Sequence, residues 1–430
     1  MNNDGLDDVA TSDRGFDWVA VYSSARRCIP LTVKGEPPTT TPVFGMTFAR
    51  PETEAIPALG ADFSKALVIE TSADANAATY PVDTPVRIST SNTAKITALG
   101  TGLLADAVKA VHAQLSGLNA GADVTVVRVA EGVDAAATAA NIAAALAPTA
   151  IAEIPSQTGA TPRLIWVGRT AWQADSETPN PIWAALEIAC EKLLAVAVVD
   201  VDPDASADAI TQREAFGSER ILPVGVAARV YEGETLVTRS MGPRILGLMI
   251  RVDNLHEGKP FNPFANRTVL GLSGTSRKIP FSLLDGSTEG QQMLESEVSI
   301  VVQGESGVDG AVADGGFVFI GTDNTTTGEL WKQIHQVRGA DYITVKIMEI
   351  TRAFLGRRIT ADTVEAWINS TKFMLRDHKV DEDILGYDVT FSADKNSPEN
   401  ICLGHLRLNL GIEPAPAFKV ANHEVARYRP

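Results

Sequence analysis

The chain has 430 residues, 45% of them hydrophobic, and its 37 Lys and Arg against 53 Asp and Glu give a net charge of −16. That length suits two or three domains, and the acidic balance excludes a protein built to neutralise nucleic-acid phosphates. No apolar run reaches the ~18–20 residues that span a bilayer. The acidic opening stretch MNNDGLDDVATSDRGF also lacks the basic and apolar regions of a signal peptide, so synthesis and folding in the cytosol are expected.

Residues 1–62 are rich in Thr, Pro and Asp and do not read as a domain. Two short β-like pieces, DWVAVY (17–22) and VFGMTFA (43–49), flank the turn-forming GEPPTTTP. From KALVIET (65–71) the texture changes to short apolar runs alternating with helical patterns. Leu104, Val108, Val111 and Leu115 recur at spacings of three and four, which predicts a helix over 102–116, and the Val-rich 124–130 predicts a buried strand. Strand, helix and strand follow over 163–168, 181–194 and 195–201, then a helix over 205–217, a strand over 220–226 and a helix over 243–256. Such alternation predicts βαβ units and a mostly parallel sheet.

After about residue 300 the order changes. A strand is expected over 316–322, mostly helix over 329–357, and a helix over 359–379 with Thr360 as its N-cap. Asp362 in the first turn of that helix and Arg376 and Lys379 near its end suit the helix dipole. Strands over 387–393 and 401–412 follow, then a break at Pro414 and Pro416, then an extended stretch with nothing downstream to pair with it. The expected fold class is α/β and multi-domain: a parallel-type α/β region, a smaller α+β C-terminal domain, and extended N- and C-terminal arms.

Patterns that would carry catalysis fail residue by residue. GLSGTSRK (271–278) lacks the P-loop spacing, and GLSGT lacks the last glycine of a nucleophile elbow. DVDPDASADAIT (200–211) begins like a calcium loop but has Ala205 where the turn needs Gly and Thr211 where a bidentate Glu belongs. DEDILGYD (381–388) reads as a surface turn. The six histidines are scattered with no HExxH, no GxGxxG follows a strand, and Cys28, Cys190 and Cys402 show no metal-type spacing. The expectation is no enzyme, no cofactor and no metal.

LVIETSADANAATYPVDTPVRIST (67–90) resembles the tail sheath proteins of contractile-tailed phages, in which a strand and a small-residue turn lead into a T-[YF]-P-[LV]-[ND]-T-P-V stretch. Thr79, Tyr80, Pro81, Val82, Asp83, Thr84, Pro85 and Val86 supply that stretch. VTVVRVAEG (124–132), the region around QREAFGSERILPVGV, and GGFVFIGT (315–322) resemble later landmarks; the last departs by having Ile320 for an aromatic and TDN for SRT. The resemblance covers most of 40–430 and leaves 1–40 unmatched.

What the resemblance implies is a contractile sheath subunit that stacks in rings around a separate tube protein in a virion tail. Baseplate and tail terminator proteins would be further partners, with no nucleic acid bound and no membrane insertion. It implies an N-terminal extension and arm (1–62), an outer α/β region (63–315), an inner α+β domain (316–414) and a C-terminal arm (415–430). The arms would add strands to neighbours' C-terminal domains by β-augmentation. Val43, Phe44, Met46 and Phe48 belong to the first arm, and Phe418, Val420, Val425 and Tyr428 to the second. Val389, Phe391, Leu406, Leu408 and Leu410 would form the accepting strands. Because the family places this domain innermost, Lys372, Arg376 and Lys379 on helix 361–379 become candidates to meet carboxylates of the tube; a plain solvated face is the alternative.

Cys190 falls on the apolar stripe of its helix and reads as a reduced core residue. Two readings stand for the others: a Cys28–Cys402 bond between neighbouring subunits, closed after release into an oxidising medium, or two unrelated free cysteines. Three rivals remain open: a bacteriocin or type VI-like injection sheath, an α/β enzyme with an accessory domain, and a non-contractile tube subunit.

Overall fold

The computed structural model describes residues 62–428, except 119, 175–177 and 179. Val43, Phe44, Met46, Phe48 and Cys28 lie outside the described residues. The chain divides into two units. The larger is Gly60–Val345 with Pro414–Pro430, and the described part of the smaller is Lys346–Glu413.

In chain order the larger unit holds β1 (Ala66–Thr71), β2 (Pro85–Ser89), α1 (Thr93–Thr97), α2 (Leu103–Gln114), β3 (Asp123–Val129), α3 (Ala135–Ala145), α4 (Pro148–Thr158) and β4 (Leu164–Val167). Next come α5 (Pro181–Leu193), β5 (Val196–Asp200), α6 (Ser206–Glu214), β6 (Ile221–Val224), β7 (Ala228–Glu232), β8 (Thr235–Arg239) and α7 (Gly242–Leu255). It ends with β9 (Arg267–Thr268), β10 (Gly274–Thr275), α8 (Glu289–Glu295), β11 (Ile300–Gln303), β12 (Phe317–Ile320) and the first turns of α9 (Ile334–Arg352). The smaller unit continues with α10 (Ala361–Val380), β13 (Ile384–Thr390), α11 (Pro398–Cys402) and β14 (Asn409–Pro414).

The main sheet has the order β2-β3-β1-β4-β5-β6. β1 runs parallel to β3 (Ala66 opposite Val124) and to β4 (Ala66 opposite Leu164), and β5 parallel to β4 and β6. β2 is antiparallel to β3, with Arg87 gripping Asp123 through a forked ion pair on the exposed edge. The apolar runs read from sequence are therefore parallel strands, and their continuous Val and Ile content follows from cover on both faces. β1 is buried at all six positions. One helical group, α2 with α7, packs over β1, β4 and β5, and a second, α3, α4 and α5, covers the other face. Gly247 lets α7 approach α2 closely, since a Cβ there would lie 2.9 Å from the Val111 carbonyl oxygen.

α3 went unmarked in the sequence because alanine on every side leaves little hydropathy contrast, and α4 because Pro155 lies inside it, where a helix is not expected to continue. Their signals are local: Asp134 caps α3 by accepting from Ala137 N at 2.7 Å, Pro148 opens α4, and Gly159 at φ +66 closes it. The small sheets β10-β7-β8 and β11-β12-β9 complete the unit.

In the smaller unit α10 begins as expected, with Thr360 accepting from Thr363 N. The strand expected over 401–412 is corrected. Ser397, Pro398 and Glu399 start the short helix α11, Gly404 at φ +82 follows it, and the strand begins only at Asn409. A capping Ser followed by Pro at the first helical position outweighs the Leu alternation that follows. Leu406 and Leu408 thus precede β14, and Leu410 lies within it. Val389 lies in β13 and Phe391 one residue beyond it.

Candidate assembly surfaces

An open α/β sheet usually binds ligands at the carboxyl ends of the strands where the strand order reverses. Here that point lies between β1 and β4, and the chain fills it with its own side chains. Glu70 at the end of β1 is buried and accepts from Thr71 N at 2.8 Å and Thr71 Oγ1 at 3.1 Å, with Arg169 Nε 3.7 Å away. Burial pushes its carboxyl up, against the pull of Thr71 and Arg169. Gly168, just after β4, makes the room: a Cβ there would sit 1.5 Å from Glu70 Oε2. Asp200 at the end of β5 accepts from Trp166 Nε1 and from Gly242 N, each at 2.8 Å, and so holds the start of α7. Burial raises its carboxyl as well. A cavity of about 320 Å³ elsewhere, between β2, β3, α3 and α4, is lined mainly by small apolar groups with Asp83 and Glu153. Among the described residues no group of three His, Cys, Asp or Glu is placed to hold a metal ion.

The smaller unit presents a different surface. β13 and β14 form a sheet of only two strands among the described residues, each with an outer edge there unpaired. Ile384 and Val389 pin β13 inward at 1% and 7% exposure, and α10 packs on this strand. A two-stranded sheet is marginal alone, so the support of α10 and the capacity to accept further strands matter together. Asn396, itself buried, donates to Ser392 O and Arg407 O and accepts from Arg407 N at 2.7 Å, which fixes the approach to β14. Apolar side chains are unusually exposed in this unit: Met348, Leu355, Phe373, Val380, Leu385 and Leu403 all stand in solvent.

The C-terminal stretch is divided. Its beginning is tied to the larger unit. Gln336 Nε2 donates to Pro414 O at 3.1 Å, and His335 Nε2 lies 3.2 Å from Ala415 O. Ala417 N donates to Gln333 Oε1 at 2.7 Å, and Lys419 Nζ pairs with Asp323 at 2.5 Å. The expected absence of any local partner is corrected to that extent. Beyond Lys419 the described residues belong to no helix or strand, and Val420, Val425 and Tyr428 are 72%, 93% and 85% exposed. Phe418, between the ties, also points outward at 87%. Side chains this apolar are rarely left so bare without a partner surface. Sequence reasoning missed the ties because the partners sit 78 to 96 positions away.

Lys372, Arg376 and Lys379 follow one another along one side of the last turns of α10. Arg376 is exposed, pairs with Asp377 at 3.2 Å, and lays its guanidinium 4.9 Å from the centre of the Phe373 ring. Lys372 is half-buried and Lys379 exposed. Cys190 is fully buried, as its place on the helix stripe predicts, and burial raises its thiol. Cys402 is disulfide-bonded, which rules out the reading of two free cysteines; Cys28 lies outside the described residues.

No protein-family model matches the chain. By sequence it is similar to a putative prophage major tail sheath protein of Pseudomonas aeruginosa (strain UCBPP-PA14), 24% identical over 273 residues. That match spans 63% of this chain and 66% of the relative, just under two thirds of its length. It is also similar to the tail sheath protein of Escherichia phage P2, 23% identical over 81% of this chain and 86% of the relative. By fold it matches the helical sheath of the anti-feeding prophage (AFP) in its contracted state, with TM-score 0.64 at 15% identity over 90% of this chain and 99% of the other. The sheath complex of the extracellular contractile injection system PVC, also contracted, gives TM-score 0.63 at 13% identity over 90% and 98%. A chain of the AFP baseplate gives 0.63 at 14% identity over 91% and 100%. The chain is a sequence relative of tail sheath proteins and carries the fold of contractile sheath subunits.

Proposed function

We propose that this chain is the structural subunit of a contractile tail sheath, a helical homopolymer of stacked rings around a separate tube. Contraction drives the tube through a host envelope for genome delivery. The observation that carries the reading is the fold shared with contractile sheaths over nine-tenths of the chain. The two-stranded β13–β14 sheet and the bare apolar C-terminal tip supply the two halves of a strand-exchange joint. Each backbone hydrogen bond across such a joint contributes about 0.5–1.5 kcal/mol net, so a few residues per arm suffice when every subunit repeats them. Work comes from the difference in packing free energy between two lattices rather than from bond hydrolysis.

The tube is met by the smaller unit, with Lys372, Arg376 and Lys379 facing its carboxylates. Baseplate and terminator proteins close the two ends of the polymer. The net charge of −16 disfavours nucleic acid as a partner. No single described helix is long and apolar enough to cross a membrane. The protein resides in the tail of the particle after synthesis in the host cytoplasm.

A second reading, the sheath of a bacteriocin or type VI-like injection system, is favoured by the fold likeness to injection-system sheaths. The phage and prophage sequence relatives favour the first. Electron microscopy of purified protein tests both against an enzyme reading: wide hollow cylinders support a sheath, and their absence under all assembly conditions rejects it.

A further inference from the structure

We propose that Asp323, Gln333, His335 and Gln336 form a port that holds the root of the C-terminal arm, residues 414–419, on its own subunit in the assembled state, so that only the tip from Val420 onward reaches a neighbour. This rests on the sheath reading above.

The port is matched to the backbone it receives. Pro414 and Pro416 have no N–H, so the segment 414–417 offers carbonyls and the N–H groups of Ala415 and Ala417. Gln336 takes the Pro414 carbonyl, His335 the Ala415 carbonyl, and Gln333 the Ala417 N–H. Asp323 closes the row by pairing with Lys419. His335 is 1% exposed and Gln336 8%. Withdrawing such groups from water is costly unless they are bonded, and His335 Nδ1 has no protein partner. The ring's hydrogen bond is therefore the one it makes to the arm. The prolines lower the entropy lost when the root is ordered. No hydrogen bond or ion pair holds the tip beyond Lys419 to the rest of the chain among the described residues.

The consequence is geometric. The described residues after the port, 420–428, reach about 30–32 Å when fully extended. Freeing the six residues 414–419 would lengthen that reach by roughly two thirds at the same rise per residue, and a slacker tether lowers the effective concentration of the tip at the neighbour's sheet. Docked, the arm passes displacement of a neighbour directly to the larger unit.

Hydrogen exchange resolved to single amides, on monomer and on cylinders, tests this. Ala417 N–H is expected to be protected in both states, while 420–428 exchanges freely in monomer and becomes protected in cylinders. Gln333→Glu keeps an acceptor and should keep both the protection and the lattice. Gln333→Leu should speed Ala417 exchange by roughly two- to tenfold, the equivalent of one hydrogen bond, and lose regular cylinders. Gln336→Glu cannot donate to Pro414 O and should behave like Gln333→Leu. Protection of β1 amides checks that each variant is folded. Cylinders in which Ala417 exchanges freely, or wild-type cylinders from both Gln333→Leu and Gln336→Glu, overturn the port alone. Wild-type protein that forms no cylinders overturns the sheath reading and the port with it.

Discussion

Removing the carboxylate of Asp253 should cost the larger unit more than removing the whole ion pair it belongs to. Arg338, near the start of α9, and Asp253, near the end of α7, are each 1% exposed and meet through two parallel hydrogen bonds, at 3.2 and 2.5 Å. Arg338 Nε has no partner. Burial pushes the Asp253 carboxyl up to about 6 although Arg338 pulls it down. For the Asp253 carboxylate, desolvation therefore outweighs the attraction of Arg338. Asp253→Asn leaves a guanidinium buried without a counter-charge, and a loss of about 3–5 kcal/mol is expected. Arg338→Met with Asp253→Leu removes both charges and fills similar volume, and should come within about 1–2 kcal/mol of the wild type or exceed it. Urea unfolding of the monomer, followed by a signal from the larger unit, gives both values and their coupling. A cost below about 1 kcal/mol for Asp253→Asn, or a double variant worse than the single, would refute the reasoning.

Deleting 420–430 should leave a folded, soluble monomer that forms no cylinders; electron microscopy checks it, and normal polymers from that truncation would reject the strand-exchange joint. Reversing charge at Lys372 and Arg376 should give tube-free or prematurely contracted sheaths, and unchanged particles would move the tube contact elsewhere. Burial holds His335 at about 4, below its ordinary 6.5, with Arg338 and Lys419 lowering it further and the Ala415 carbonyl and Asp323 raising it. The unfolded chain therefore takes up the proton first. The stability due to neutral His335 is complete above pH 6.5 and is lost as pH falls from there toward 4, on the order of 3 kcal/mol in all. Asp253 acts in the opposite sense over part of that window, its raised carboxyl adding stability as pH falls through 6. The readout is thus the difference between wild type and His335→Gln, which should widen with acid for both unfolding and Ala417 exchange; parallel pH profiles would contradict it.

How legible this was depends on how local each cause is. Val124, Val126 and Val127 announce a strand buried on both faces, and Leu104, Val108 and Val111 a helix with one apolar stripe, because burial repeats at the period of the element. Thr360 could be read as a cap since its partner is three residues away. Ile142 was too isolated among alanines to reveal α3, and Pro155 argued against a helix at α4. Leu406, Leu408 and Leu410 alternate like a strand, yet α11 takes up 398–402 and Asn396 bonds both backbone groups of Arg407, so the strand starts at Asn409. Nothing local to Glu70 or Asp200 says that they close the sheet's ligand crevice, because Gly168 reaches Glu70 through the parallel β1–β4 register and Gly242 reaches Asp200 from the start of α7. The candidate tip residues were legible as an apolar segment after a proline break. Their root was not, because what ties Ala415 and Ala417 lies some 80 residues upstream.

The central claim is that neighbouring subunits are joined by strands added to the β13–β14 sheet. Electron cryomicroscopy of the assembled polymer at side-chain resolution tests it most directly. The account predicts a hollow cylinder in which residues from the 420–428 stretch of one subunit run as an added strand along the β13–β14 sheet of another, with Val420 and Val425 covered. A cylinder whose β13–β14 edges stay bare, with the tip folded back on its own subunit, would contradict it.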